Sequence, residues 1–343
     1  MKNRLEIILT AVVAAALMAS CATTKLAVQR MAPASYDIED VKKLGILGFS
    51  SEHPAYTSAA RGITDIIEDK LVQNGFFEKV TRVKSYNGMP VETTPAIFPE
   101  LLAKIGREAG VDLLVLGLVD IFDANTFTEN RKKEEEVSTG RYRTETYAEN
   151  GETKTRQVEI KEKKVYYVPY AKRRAGVKFR AYALRIEGGR FAGKGEFKDQ
   201  RIYEGEGRDK IDSFPSEQQL LSELTDKLTQ IFVNQMTPHE VTEYVKLRSS
   251  KQCKAGVKLA REGKWIEAIA EFENVVASDP SNDVAFFNLG AAHEYSKDYE
   301  KAREYYRSAM AIRNKPEYNE AWVRVHDITI QNMRLERQLK GKK

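Results

Sequence analysis

The residue best placed for covalent chemistry is Cys21. It follows Met18-Ala19-Ser20, and the apolar run Ile7 to Leu17 precedes those residues. Small side chains before a cysteine suit the narrow groove of a signal peptidase, and a cysteine directly after the cut offers a thiol that can carry a diacylglyceryl group. Other reactive constellations are missing. The four histidines, His53, His239, His293 and His326, stand apart from cysteines and carboxylates at metal-ligand spacing. No Gly-rich phosphate loop or Ser-centred nucleophile elbow occurs, and Gly188-Gly189 reads as a hairpin turn. The expectation is a non-enzymatic chain with no metal and no cofactor.

Lys2 and Arg4 give the apolar run a basic start, and the run is too short to span a bilayer as a mature helix. Residues 1–20 therefore read as a signal peptide. Met18-Ala19-Ser20-Cys21 resembles a lipobox, with Met18 where leucine is more usual. That resemblance implies lipid on Cys21, each buried methylene adding about 0.8 kcal/mol to anchoring. Ala22, in place of the aspartate that retains such proteins at the inner membrane, implies the outer membrane. The body is then expected in the periplasm, with the cell surface as the alternative. The remaining cysteine, Cys253, has no partner for an internal disulfide and reads as a small apolar group.

Lys and Arg number 55 against 50 Asp and Glu, a net charge of +5 in 343 residues, so bulk charge does not call for nucleic acid. Residues 21–40 show no clear period and read as a lipidated tether. From Val41 strand and helix alternate. Leu44 to Phe49 reads as a buried strand. Ile63, Ile67 and Leu71 share a helix face that Ser58 can cap and Asn74-Gly75 ends. Phe76-Phe77 and Val80 to Val83 suit a second strand. A helix from Pro99 carries Leu102, Ile105 and Ala109 and stops at Gly110. Val111 to Phe122 is a central strand buried on both faces. Val177 to Ile186 and Phe191 to Phe197 make a hairpin around Glu187-Gly188-Gly189-Arg190, and Arg201 to Glu204 adds a further strand. Ser216 and Gln219 form a capping box for a helix with Leu220, Leu224, Leu228, Ile231 and Phe232. His239 begins a linker helix over Glu240 to Lys246.

Lys43 to Phe49, the helix ending in Asn74-Gly75-Phe76, and Gly110 to Gly117 together resemble the periplasmic α/β domain of CsgG-like lipoproteins. LpoB activators and the N-terminal domain of TolB have similar domains. The resemblance covers roughly 41 to 235 and implies a mixed-sheet α/β sandwich that assembles or binds. The α/β domain is expected over 41–248, with a charged insertion at 126–176.

In that insertion Glu149-Asn150-Gly151-Glu152 can turn a long hairpin between Arg141 to Ala148 and Thr153 to Ile160. CsgG-like proteins carry membrane hairpins at such a place, so alternation matters. One face offers Tyr142, Thr144, Thr146 and Ala148; the other offers Arg141, Arg143, Glu145 and Tyr147. Neither suits lipid, so the insertion reads as a solvated arm or a partly disordered loop. Tyr166-Tyr167-Val168-Pro169-Tyr170 reads as an aromatic cluster packed on the sheet, or else meeting a partner.

Beyond Lys251 the chain repeats. Gly256 and Gly290, Trp265 and Tyr299, Ala268 and Ala302, and Phe272 and Tyr306 each stand 34 positions apart. This is the tetratricopeptide (TPR) period. The glycines allow close helix approach, the alanines sit at crossings and the aromatics fill gaps. Two repeats and a capping helix, Glu320 to Leu339, make an all-α domain over 249–343. Such arrays hold peptides or helices on an inner face, where Lys258, Arg261, Asn288 and His293 are expected to meet a protein partner.

The fold class is thus a mixed-sheet α/β sandwich with a charged β-hairpin insertion, followed by an all-α TPR domain. The expected function is a lipid-anchored scaffold or adaptor for envelope assembly or secretion. The alternatives are a homo-oligomeric CsgG-like export channel and an LpoB-like activator of peptidoglycan synthesis.

Overall fold

The computed structural model describes residues 23–87, 89–90, 98–150 and 152–340, so the signal segment and Cys21 lie outside the described residues. Two compact units divide the chain: the residues up to Asp40 with Asn234–Lys343, and Val41–Val233. The chain enters as β1 (Thr23–Ala32), which belongs to the first unit, and then builds the second.

That second unit begins with β2 (Lys43–Ser50), α1 (Thr57–Asn74), β3 (Lys79–Arg82) and α2 (Pro99–Ala109). It continues with β4 (Leu113–Glu149), β5 (Glu152–Arg185), β6 (Phe191–Glu206), α3 (Arg208–Asp212) and α4 (Glu217–Met236). The sheet order is β3-β2-β4-β5-β6. β2 is parallel to both β3 and β4, and the β4-β5-β6 edge is antiparallel, so the sheet is mixed as expected.

Helix α1 buries Ala60, Ile63, Ile67 and Leu71, the four-residue rhythm of its sequence, and α4 buries Leu220, Leu224, Leu228 and Phe232. Phe232 meets Phe49 and Phe197 edge-on, tying α4 to the sheet. Helix α2 packs Leu102, Ala103 and Ile105 with Leu114, Leu116, Leu184 and Ile186. Both α1 and α2 end on left-handed glycines, Gly75 (φ 70°) and Gly110 (φ 65°), a conformation that a Cβ would strain. The capping box forms: Ser216 N donates to Gln219 Oε1 at 2.8 Å, and Gln219 N donates to Ser216 Oγ at 3.1 Å. Ser58 is no cap. A 3-10 turn over Pro54–Tyr56, capped by the His53 ring, leads straight into α1 and leaves Ser58 inside its first turn. Arg201 to Glu204 continues β6 rather than starting a strand.

The insertion is an ordered extension of the sheet. β4 and β5 stay paired from Leu113↔Arg185 to Glu149↔Glu152, with an irregularity between Ser138 and Arg141, whereas β6 ends opposite Tyr170. Beyond Tyr170 the two strands continue alone as an arm of about 65 Å, at about 3.3 Å per residue. Register sorts its outer part into two faces. Arg141, Arg143, Glu145, Lys154 and Arg156 share one, and Tyr142, Thr144, Thr146, Thr155 and Gln157 share the other. Glu145 is held by Arg156 at 3.0 Å and by Arg143 at 2.6 Å, which keeps its carboxyl below the usual range. Tyr170, at the root, is buried under the Arg131 guanidinium at 3.3 Å, while Tyr167 is exposed.

In the other unit β1 pairs antiparallel with β7 (His239–Arg248), from Thr23↔Arg248 to Ala32↔His239. Five helices follow: α5 (Lys254–Arg261), α6 (Trp265–Ser278), α7 (Asp283–Tyr295), α8 (Tyr299–Ile312) and α9 (Pro316–Leu339). Two expectations are corrected here. The tether reading fails from Thr23 onward, because Leu26, Val28 and Ala32 turn inward on a strand. The linker helix over Glu240 to Lys246 is also a strand, burying Val245 and Leu247. As a result Asn234 to Arg248 groups with the helices rather than with the α/β unit. Both segments have period-two patterns, but each is short and its partner lies at the far end of the chain. Cys253 is buried among the helices, and burial pushes its thiol pKa up. Among the described residues no helix is long and apolar enough to cross a membrane.

Candidate functional site on the helical repeats

The repeated residues occupy equivalent places. A Cβ on Gly256 would stand 2.4 Å from the Phe272 ring, and one on Gly290 would stand 2.6 Å from the Tyr306 ring. Each glycine therefore lets the first helix of a pair lie against an aromatic of the second. Ala268 and Ala302 are fully buried. Trp265 stacks on Tyr295 at 3.9 Å, and Tyr299 is partly buried against the same core. The Tyr306 hydroxyl donates to Glu294 Oε2 at 2.6 Å, and Arg324 of α9 grips the same carboxylate at 2.8 and 2.7 Å.

The face where α5, α7 and α9 present polar side chains already holds an extended segment, the chain's own. Asn288 Oδ1 accepts from the Arg248 backbone N–H at 2.8 Å, and its Nδ2 donates to the Arg248 carbonyl at 2.8 Å. On α5, Arg261 donates to the Thr24 hydroxyl at 3.0 Å. On α9, Gln331 accepts from Arg30 at 2.9 Å, and Arg30 also pairs with Glu243 across the ribbon at 2.5 Å. Further along α9, Arg334 donates to the Ser35 carbonyl at 2.7 Å. Gln338 accepts from Ala34 N at 2.9 Å and donates to Ala34 O at 3.0 Å. Each helix thus reads the β1–β7 ribbon or the segment after it, largely through main-chain groups. This is the chemistry of a groove for extended peptide, filled from within the molecule. A cleft of about 490 Å³ remains between ribbon and α9, with Arg30, Glu243, Arg324 and Asp327 in its walls.

The four residues expected to meet a partner therefore separate. Asn288 is fully buried and held by Arg248. His293 is 8% exposed and stacks on Tyr305, so it is a core group. Arg261 is exposed yet engaged with Thr24. Lys258 is the most open, its side chain 78% exposed and 4.0 Å from Glu262. The expectation failed for Asn288 because helix periodicity marks a face without revealing that another part of the chain covers it. Gln331, Arg334 and Gln338 escaped sequence reading; their spacing on one α9 face was the available signal.

Two expected results follow. Asn288→Ala leaves a part-buried backbone donor and acceptor at Arg248 without their side-chain partner, costing about 1–2 kcal/mol. Hydrogen exchange at β7 amides should rise while α1 amides stay protected; unchanged β7 protection would show that Asn288 does not hold the ribbon. His293 supplies the pH dependence. Burial holds its pKa below the usual value, against the opposing pull of Asp298 Oδ2 at 3.6 Å. The unfolded chain binds that proton more readily. The contribution is therefore complete above the unfolded value of about 6.5 and is lost as pH falls through the folded one. Between pH 7 and pH 5 the urea midpoint should fall further for the natural protein than for His293→Gln.

With this geometry established, residues 284–315 match the tetratricopeptide repeat family. They span most of α7 and α8, so this helical pair is a repeat of the class whose arrays act as scaffolds for protein contacts. No curated protein matches the chain. Among solved structures, the PelC dodecamer of Paraburkholderia phytofirmans is 11% identical with a TM-score of 0.29, covering 63% of this chain and 100% of that one. A point variant of the same dodecamer gives 11% and 0.30, covering 62% and 98%.

Proposed function

We propose that this protein is a non-enzymatic lipoprotein, anchored to the outer membrane through Cys21 with its body in the periplasm, that serves envelope assembly or secretion as a scaffold. The lipobox-like run supports the anchor, and the CsgG-like rhythm of the α/β unit supports an assembling role. The observation that carries the scaffold reading is the lone β4–β5 arm. Beyond Tyr170 both of its edges expose alternate backbone N–H and C=O groups without a neighbouring strand. An exposed ribbon with open edges is a template for strand addition, so a protein partner offering an extended segment fits it. The TPR face is filled from within, which directs partner capture to the arm. The arm's outer faces lack the apolar band that a membrane strand needs, which speaks against the channel alternative.

Joining Thr128 to Ala171, which face each other in the ladder, through an Asn-Gly turn removes the arm and leaves the sheet closed. Photo-crosslinking of lipidated protein in intact envelopes should then lose its partner band, while circular dichroism loses only strand signal and keeps its helical bands. Retention of the band would overturn the arm as the docking element. A large discrete ring by light scattering, together with bilayer conductance, would overturn the scaffold reading in favour of a channel.

A further inference from the structure

Thr23 is paired with Arg248, and the next residue, Thr24, is bonded to Arg261. Cys21 is three residues before Thr24, a reach of at most about 11 Å. Accepting the lipid anchor proposed above, the bilayer surface lies beside α5 and the turn that follows it.

That corner carries a charge unlike the rest of the chain. From Lys246 to Ile266 there are seven Lys or Arg residues and a single acid, Glu262, whereas the whole chain nets only +5. Lys254, Lys258 and Arg261 recur at helical spacing, and all three are exposed, as are Lys251 and Lys264. Glu262 pairs with Lys264 at 2.9 Å and lies 4.0 Å from Lys258, and Glu267 just past Ile266 also acts on Lys264, so these acids offset part of the charge and leave a net positive group. In the adjoining ladder Lys25 stands opposite Lys246, a like-charge pair that costs stability unless an anion lies nearby. Ile266, just past Lys264, is 83% exposed, the most open of the large apolar side chains described. Lysines around an open isoleucine, beside the point where a lipid chain attaches, match the chemistry of an anionic headgroup layer with acyl chains beneath.

We propose that the α5–α6 corner, with Lys254, Lys258, Lys264 and Ile266, is a second membrane contact that binds anionic phospholipid and holds the helical unit against the bilayer. The lipid supplies attachment, and the corner supplies orientation.

The test uses the full mature chain with Cys21→Ser, so that acylation cannot mask the contact. Sedimentation with phosphatidylglycerol-containing vesicles should exceed that with neutral phosphatidylcholine vesicles and weaken with salt. Changing Lys254, Lys258 and Lys264 to Glu should lower anionic-vesicle binding at least about tenfold. An environment-sensitive dye on Ile266→Cys should shift to the blue only with anionic vesicles. Equal binding to both vesicle types, or no effect of the three substitutions, would overturn the contact. Palmitate labelling of the natural chain in cells reads the anchor separately: lost labelling with retained vesicle selectivity refutes the anchor alone, and the converse refutes the corner alone.

Discussion

Gly290→Ala is expected to unfold the helical unit at much lower urea, with a loss of about 3 kcal/mol. The added Cβ would stand 2.6 Å from Cδ1 of Tyr306, a ring that is fully buried and hydrogen-bonded at its far end. Such a ring cannot swing aside, so α7 and α8 must separate and lose contacts along their shared length. Both tryptophans, Trp265 and Trp322, lie in this unit, so their fluorescence reports it without interference from the α/β unit. Gly62→Ala is the control. Gly62 sits inside α1 with open space where its Cβ would go, so alanine should raise helix stability by about 0.5–1 kcal/mol. An unchanged midpoint for Gly290→Ala would show that the helices are not held as closely as described.

Glu294→Leu is expected to cost more, about 3–5 kcal/mol, because it strands a charge. The Glu294 side chain is 3% exposed and the Arg324 side chain 28%. Burial works against the charge on Arg324, but the two-point bond to Glu294 more than offsets it and raises its pKa. Burial, then the neighbouring carboxylate, likewise pushes the Tyr306 hydroxyl pKa upward. Removing the carboxylate leaves a mostly buried guanidinium facing leucine. Adding Arg324→Met removes that second charge, so the double variant should recover most of the loss. If the double variant is no more stable than the single, the cost comes from shape rather than charge.

Both effects depend on residues whose roles were unequally legible. Gly290 and Tyr306 were readable because their pattern recurs as Gly256 and Phe272, and each glycine meets its aromatic sixteen positions later in the same helical pair. Glu294 and Arg324 carried no comparable signal. They are ordinary charged residues on different helices, and only the crossing of α7 with α9 brings them together. The candidate site divides likewise. Lys258 and Asn288 were both expected to meet a partner on the inner face of the repeats; Lys258 is exposed, and Asn288 is covered by β7. Cys21, expected from its neighbours to bear lipid, lies outside the described residues.

The sequence by itself determined the elements whose physics is local. Helix faces, the glycine stops at Gly75 and Gly110, the Ser216–Gln219 capping box and the hairpin at Glu149–Glu152 all depend on residues within a few positions of one another. The order of mixed sheet followed by repeat helices comes from the same short-range patterns. Tertiary structure alone decided that β1 would cross the length of the chain to pair with β7, and that the pair would lie on α5, α7 and α9. The period-two pattern at Thr23–Ala32 is too short to favour a strand over a tether by itself, because a single strand stabilises little until its partner and its apolar floor are in place. Those arrive from residues near the other end of the chain, and with them the inner face of the repeats becomes a filled groove.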